Sequence, residues 1–566
     1  MKLTGAQAFI KCLEEHGVEV IFGYPGGALI DVYDELMKQD AVHHVLTRHE
    51  QAAVHAADAY GRIKGDVGVA LVTSGPGATN AVTGIASAYM DSIPLVVFTG
   101  QVPTKLIGND AFQEVDIVGI TRPITKHNYL VKDAAELVPT IREAFHLART
   151  GRPGPVLVDL PKDVLATRIA YPESKPIRMR TYKPTYEPHP GQVEKACQSI
   201  LKSKRPVLYI GGGVIAANAH EELTELAKKL DIPVTMTLMG LGGFPGSDPL
   251  SMGMLGMHGT YYANMAVANC DALIAVGARF DDRVTGRVDA FAPHAEIIHV
   301  DIDPSSISKN VKVDIPIVAD CKHALAAMND WFNRSSEFSR EAMAAKHKPW
   351  HDQIREWKNK HPLGYVEETD VIKPQFVIQK ISELTGGDAI ITTEVGQHQM
   401  WTAQFYHFNK PRQWATSGGL GVMGYGFPAA MGAQMAAPDK VVIDIAGDGS
   451  IQMNIQELAT CRQERLPVKV AILNNQYLGM VRQWQELFYD KKYSQTVMEV
   501  APDFVKVAEA YGAVGLRALK PSDVEPVIKE ALKINNTVFM DFVIAREECV
   551  YPMVPAGKAT TEMLLV

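Results

Sequence analysis

Asp448, Asn475 and the backbone carbonyl of Tyr477 offer three hard oxygen ligands at the ends of two apolar runs, residues 441–446 and 468–473, that read as β-strands. Asp448 lies in Gly447-Asp448-Gly449, directly after the first run, and Asn474-Asn475 closes the second. Mg²⁺ takes octahedral oxygen coordination and keeps open positions for water or phosphate, so one carboxylate, one amide and one carbonyl suit a metal that anchors a diphosphate. Residues 451–464 read as the crossover helix of a parallel βαβ unit, and a helix starting just past Gly449 and Ser450 would attract phosphate at its N-terminus. Either half alone is an ordinary turn after a strand. Together, at this spacing, they point to a metal-diphosphate cradle.

Strand ends of this kind need a sheet whose carboxyl edges share one side, and the rest of the chain supplies the pattern for it. With 566 residues, three or more domains are expected. A proline-rich polar stretch at 171–190 reads as one linker, and a charged stretch at 336–369 as a second, with some helix. The remaining blocks, 1–170, 191–335 and 370–566, each alternate short apolar strands with amphipathic helices. In the first, residues 18–22, 67–72 and 95–99 read as strands and 29–38 as a helix. This alternation predicts an α/β protein of three doubly wound parallel-sheet domains. A net charge of −8 and the absence of a basic stripe argue against nucleic acid as a partner. No run is long enough to span a membrane and the N-terminus lacks a secretory pattern, so a cytoplasmic location is expected. Six cysteines lie far apart, without a Cys-x-x-Cys pair, and read as packing residues.

The middle block carries its own glycine signal. Gly211-Gly212-Gly213-Val214-Ile215-Ala216 follows an apolar strand and fits Gly-x-Gly-x-x-Ala, with Asp231 at about the distance of a ribose contact. Taken alone it reads as a nicotinamide site or as a tight turn without a ligand. At another strand end, Arg279 to Arg283 packs two arginines and two aspartates into five residues, which call for charge partners such as a cofactor or a substrate carboxylate.

The Gly-Asp-Gly to Asn-Asn arrangement resembles the binding motif of the thiamine diphosphate (ThDP) enzymes, and nearly the whole chain resembles the large catalytic subunit of the biosynthetic acetohydroxyacid synthases (acetolactate synthases). Matching segments include Gly23 to Ala28, Thr73 to Gly77, Asp110 to Glu114, Thr125 to Asn128, Gly418 to Gly426 and Met553 to Ala559. The resemblance implies a pyrimidine-binding first domain, a central FAD-associated domain and a diphosphate-binding third. It makes Glu50, in Arg48-His49-Glu50-Gln51 ahead of a helical stretch at 52–64, the group that protonates N1′ of the cofactor's aminopyrimidine. Met423 would sit beneath the cofactor, with Gly421, Val395, Gly396, Gln397, His398, Gly447, Gly449 and Ser450 around it and Asp448, Asn475 and Tyr477 on Mg²⁺. FAD would lie along Gly211, Gly212, Gly213, Met254, Leu255, Gly256, Met257, His258, Gly277, Ala278, Arg279, Asp281, Arg283, Asp301, Ile302 and Asp320. Arg283 would meet the carboxylate of the second 2-ketoacid, with Trp484, Met480 and Phe112 shaping the pocket, Gln113 and Lys126 on the access route, and the Gly27 backbone as an oxyanion contact.

The implied reaction decarboxylates pyruvate and joins the two-carbon fragment to pyruvate or 2-ketobutyrate. The family divides the cofactor between two subunits, which implies a homodimer or a dimer of dimers, and a small regulatory subunit is a further expected partner. Pyruvate oxidase also combines ThDP with FAD and is the main alternative, but Arg283 and Trp484 favour carboligation. Glyoxylate carboligase is expected to lack the glutamate that Glu50 supplies. A non-catalytic homologue would not need Glu50, Asp448 and Asn475 intact, and a nicotinamide dehydrogenase rests on the 211–216 segment alone.

Overall fold

The computed structural model describes residues 2–565. Contacts group the chain into two compact units: residues 1–182, 389–398 and 415–546 form one, and 183–388, 399–414 and 547–566 the other.

The first unit holds two six-stranded sheets built to one plan. In the N-terminal sheet the strands lie in the order His43–Leu46, Val20–Tyr24, Gly68–Val72, Leu95–Gln101, Pro155–Pro161, His127–Leu130, all paired in parallel. In the C-terminal sheet the order is Trp414–Ala415, Ile390–Thr393, Val442–Gly447, Lys469–Asn474, Val538–Val543, Val514–Ala518, and its five longer strands run parallel. Numbered within each sheet, both read 2-1-3-4-6-5. The central strands are buried along their length, as sheets covered on both faces must be.

The helix Glu50–Lys64 is the centre of this unit. Alanines at 52, 53, 56, 57 and 59 leave it slim enough to be buried on every side, and Gly65, at φ +77°, ends it in the left-handed conformation that glycine tolerates. It packs against the helix Gly426–Ala436, and the approach is so close that a Cβ on Gly432 would stand 1.9 Å from the carbonyl oxygen of Ala56. On its other side a Cβ on Gly68 would meet the Ala57 carbonyl at 1.9 Å.

In the second unit the middle sheet runs Ser251–Met254, Val234–Met236, Pro206–Ile210, Ala272–Val276, Glu296–Asp301, Ile315–Val318, all parallel. In chain order this is 3-2-1-4-5-6, the doubly wound order whose topological switch lies between the first and fourth strands. The charged stretch read as a linker contains a 21-residue helix, Arg340–Lys360, with Met343, His347, Trp350 and Ile354 buried and the Trp350 indole donating to the Pro206 carbonyl at 3.1 Å. The proline-rich stretch carries no helix or strand from 171 to 189, and Pro190 opens the next helix at its first turn, where a missing N–H costs nothing.

The α/β class and the three parallel sheets agree with the sequence reading, with strand ends shifted by up to two residues. One element differs in kind. Residues 451–464 are not one crossover helix but two 3₁₀ turns, Ile451–Met453 and Ile455–Glu457, and then the α-helix Leu458–Glu464. Asn454 breaks the run because it adopts φ −133° and its amide donates to the Gly424 carbonyl at 2.6 Å. The expected α-helical N-terminus beside Gly449 is therefore absent. The helix after Arg48 starts at Glu50 rather than at residue 52. Five cysteines are buried and Cys549 is partly so, and burial pushes the Cys12 and Cys197 thiols up to about 12, as for inert packing residues. Among the described residues no helix is long and apolar enough to cross a membrane.

Candidate active site

Parallel pairing of Gly447 with Leu473 brings Asp448 and Asn475 to the carboxyl ends of neighbouring strands, the side of a doubly wound sheet where ligands bind. Asp448 is buried, and its Oδ2 has no hydrogen-bond partner. Burial raises its pKa to about 7, opposed by backbone N–H groups including those of Asn475 and Gln476. A buried, unanswered carboxylate oxygen is costly unless something positive meets it. The side-chain oxygen of Asn475 accepts the Tyr477 N–H at 3.1 Å, and a left-handed Gln476 at φ +58° turns the chain between them.

This loop is clipped in place from two sides. Leu478 N–H donates to the Thr496 carbonyl and Met498 N–H to the Gln476 carbonyl, each at 2.9 Å, and the segment reaches Gly449, where a Cβ would stand 2.7 Å from Leu478 Cδ2. Arg482, buried on the helix Gly479–Phe488, lies over the rings of Tyr477 and Tyr493. Met480 and Trp484 are four residues apart on this helix and so share a face, both half-buried.

The neighbouring strand end adds the other cradle residues. His398 is buried against Gly447, where a Cβ would meet its Nδ1 at 2.8 Å, and burial lowers its pKa to about 3, so it stays neutral. Ser450 Oγ accepts the Gly447 N–H at 3.3 Å, and Gln397 donates to Gln483 at 2.9 Å. Val395 and Gly396 are half-buried beside them. The loop with exposed Gly421 and half-buried Met423 leads into the helix Gly426–Ala436.

Glu50 occupies the first turn of its helix, 9% exposed, and its Oε2 accepts from the Asn80 amide at 2.9 Å. Close approach to its other oxygen is kept open by Gly77, whose Cβ would stand 3.2 Å from Oε1. Of the access-route residues, Phe112 is 88% exposed, a position that an apolar ring takes at a cost. Gln113 adopts φ +59° and its backbone presses on Gly75. Gly27 is exposed at the start of a 3₁₀ turn and its carbonyl accepts from Lys162 at 3.2 Å. Lys126 departs from expectation. Its ammonium donates to the carbonyls of Leu147, Thr150 and Arg152 and to the Tyr182 hydroxyl, at 2.6 to 2.8 Å, so its three protons are committed to closing the end of the helix Leu137–Arg149.

In the second unit the glycine fingerprint lies at the topological switch. A Cβ on Gly211 would stand 2.2 Å from the Gly277 carbonyl and one on Gly213 would stand 2.6 Å from Gly277 Cα, so the ends of the first and fourth strands interlock through glycine alone. Gly256, at φ +96°, and the Met257 N–H, donating at 2.8 Å, hold the Arg283 carbonyl, and Met254, Leu255 and His258 are buried alongside. Ala278 accepts from buried His299. Arg279 pairs with Asp281 at 2.8 Å and exposed Arg283 with Asp282 at 3.2 Å. Asp301 accepts the Asp303 N–H across half-buried Ile302, and Asp320 caps the helix Cys321–Arg334. Asp231 does not serve as the ribose contact of a nicotinamide site. It ends the helix His220–Leu230 ahead of the strand Val234–Met236, at the opposite end from the ligand-binding edge, and pairs with His351.

Sequence reasoning missed the buried acids beneath this site. Glu394 accepts from the backbone N–H of Gly424 at 2.6 Å and of Phe427 at 3.1 Å. Asp444 lies under Gly426 and accepts only from the Thr392 hydroxyl, its Oδ2 unpartnered. Burial and the neighbouring Glu394 push Asp444 far up, so Asp444 holds the proton, while burial raises Glu394 to about 7 against the backbone N–H groups that lower it. Glu457, fully buried, accepts the Arg48 N–H with both oxygens, fixing the turn before Glu50. Arg62 bridges Asp58 and Asp91 at 2.6 and 3.0 Å, Tyr425 donates to Asp58, and Asp91 accepts from Gly418 and Gly419. The available signal was an acid inside an apolar strand, as at Asp444, which is expensive without a purpose.

Comparison with known proteins agrees with this geometry. Residues 3–120 match the N-terminal TPP binding domain of thiamine pyrophosphate enzymes, 193–328 their central domain and 394–542 their C-terminal TPP binding domain. The class is thus a thiamine-dependent enzyme of three α/β domains. The chain is 51% identical to the acetolactate synthase isozyme 3 large subunit of Escherichia coli, over all of this chain and 98% of that protein. It is 48% identical to the Haemophilus influenzae acetolactate synthase large subunit, over all of this chain and 98% of that protein, and 50% identical to that of Corynebacterium glutamicum, over 99% of this chain and 90% of that protein. The chain belongs to the acetolactate synthase large-subunit family.

Proposed function

We propose that this enzyme decarboxylates pyruvate and condenses the two-carbon fragment with a second pyruvate, giving 2-acetolactate, or with 2-ketobutyrate, giving 2-aceto-2-hydroxybutyrate, the first common step of branched-chain amino-acid biosynthesis. The observation that carries this reading is the unanswered buried Oδ2 of Asp448 beside Asn475 and Tyr477, in a chain about half identical along its length to acetolactate synthases.

That donor set fits Mg²⁺, with open positions for diphosphate oxygens. Asp448, Asn475 and the Tyr477 carbonyl would hold the metal, and Gly447, Gly449, Ser450 and the 395–398 segment would line the diphosphate. ThDP, when bound, supplies the electron sink for loss of carbon dioxide. Glu50 exchanges a proton with N1′ of the aminopyrimidine, a task for a carboxyl group that can share a proton with a ring nitrogen. Met423 and Gly421 support the ring from below. The Gly27 backbone stabilises negative charge developing on the ketoacid oxygen. Arg283 binds the carboxylate of the acceptor in a planar, two-pronged contact, and Trp484 with Met480 forms the apolar wall for the additional methyl of 2-ketobutyrate. Phe112 and Gln113 line the approach.

Gly211 to Gly213, Met254 to His258, Gly277 to Arg279, Asp281, Arg283, Asp301, Ile302 and Asp320 would hold FAD at the switch point of the middle sheet, in a structural role, because carboligation needs no net redox change. The pyrimidine domain is 1–170, the FAD domain 191–335 and the diphosphate domain 370–566. Glu50 of one subunit works with Asp448 of its partner, so the active unit is a homodimer or a dimer of dimers. The relatives are large subunits, which supports a small regulatory partner, and a cytoplasmic location suits the reaction.

Product analysis with pyruvate, with and without 2-ketobutyrate, in ThDP, Mg²⁺ and FAD tests the reading. Acetolactate, joined by acetohydroxybutyrate on adding 2-ketobutyrate, is the expected result; acetaldehyde or acetyl phosphate instead would overturn the acceptor assignment.

A further inference from the structure

We propose that Glu394 is a positioning residue for the reaction: through Gly424 it sets the height and tilt of the loop that presents Met423 to the cofactor. This rests on the ThDP reading above.

Gly424 follows Met423, and both of its backbone polar groups are tied down. Its N–H donates to Glu394 Oε2 at 2.6 Å, and its carbonyl accepts from the Asn454 amide at 2.6 Å. The second Glu394 oxygen takes the Phe427 N–H at 3.1 Å, so one buried carboxylate spans both ends of the turn. There is no slack in which the loop could settle otherwise. Gly424 is at φ +87°, where a Cβ would stand 2.9 Å from Met453 Cβ, and a Cβ on Gly426 would stand 2.2 Å from Asp444 Oδ1. A carboxylate is the group this geometry asks for, because two N–H donors converge on two acceptor oxygens. Glutamine would offer one acceptor and turn its NH₂ against the other N–H.

The test uses enzyme loaded with ThDP and Mg²⁺, and follows exchange of the thiazolium C2 proton for deuterium by quenched-flow NMR beside ThDP affinity by fluorescence titration. In Glu394→Gln, exchange should slow about a hundredfold, the scale of an ångström-sized misplacement. Affinity should stay within about threefold, because the metal and diphosphate contacts are untouched. Gly424→Ala shifts the same loop without altering Glu394 and should give the same split even if Glu394→Gln folds poorly. Glu394→Asp keeps two acceptor oxygens and should recover part of the rate. Exchange at the wild-type rate in a folded Glu394→Gln protein overturns the inference, as does a parallel fall of affinity and exchange in both variants. If wild-type enzyme itself exchanges C2 no faster than free ThDP, the ThDP reading fails instead.

Discussion

The N-terminal and C-terminal sheets share one strand order, yet each spends it differently. The C-terminal sheet uses the ends of its third and fourth strands, placing Asp448 and Asn475 where a metal can answer a buried charge. The N-terminal sheet leaves the corresponding end of its third strand to small residues, Thr73, Ser74 and Gly75, and places its acid, Glu50, on the first turn of the helix after its second strand. The equivalent helix of the C-terminal sheet, Gly426–Ala436, starts instead from the loop of Met423, with Glu394 beneath it. One frame thus buries an acid at a strand end in one copy and on the first turn of a helix in the other, the positions proposed above for metal binding and proton transfer.

Removing either specialised acid should produce the largest effects and should separate the two roles. Glu50→Gln keeps the shape and the Asn80 contact but cannot pass a proton, so turnover should fall by about 10²–10⁴-fold with Mg²⁺-dependent ThDP binding retained. Asp448→Asn removes the only carboxylate among the three proposed metal ligands and should abolish Mg²⁺-dependent binding, measured by calorimetry. If both variants lost cofactor equally, the division of labour between the sheets would be wrong.

The helix shared by the two copies is next. Arg62→Met leaves Asp58 and Asp91 buried without their cation, and breaking such a pair from one side costs about 3–5 kcal/mol, read as a lowered urea midpoint. Gly432→Ala inserts a methyl 1.9 Å from the Ala56 carbonyl, and overpacking of this kind costs about 1–3 kcal/mol. An unchanged midpoint in both would mean that the two sheets do not stabilise each other through these helices.

The sheets, and the strand ends that bring Asp448 and Asn475 together, were legible because long apolar runs ending in Gly-Asp-Gly and Asn-Asn are local patterns. The broken crossover was not, because Asn454 leaves the helix for the Gly424 carbonyl, thirty positions away in the chain. The resemblance placed Lys126 on an access route, but its partners come from the end of another helix and from Tyr182. Asp444 gave a signal as an acid inside an apolar strand, but Glu394, just past the end of the strand Ile390–Thr393, gave none, and only the third dimension sets one beneath Gly426 and the other beneath Gly424. The Gly211 fingerprint was legible as a turn, but its neighbour Gly277, which explains two of its glycines, is distant in sequence.

A smaller difference between the copies lies on their sixth strands, where each buries one aspartate. Asp541 is answered by Arg517 at 2.9 Å and by the Asn474 amide at 3.0 Å. Among the described residues Asp159 has only the neutral donors Thr99 and Gln101, at 2.7 and 2.9 Å, and burial raises its pKa to about 7. Between an unfolded value of about 3.9 and this folded value the native state binds the extra proton, so its contribution to stability falls as pH rises through that window. Asp159→Asn has nothing to titrate and can still accept from Gln101. Relative to wild type the variant should therefore gain about 1–2 kcal/mol between pH 4 and pH 7 and no more above it, below the ~4 kcal/mol of the full shift because local relaxation eases ionisation. Urea midpoints at pH 4.5, 6 and 8 read this directly. A difference that stayed flat with pH would mean that burial does not raise Asp159 in the folded protein, and that an arginine on the neighbouring strand is not what separates the two sheets.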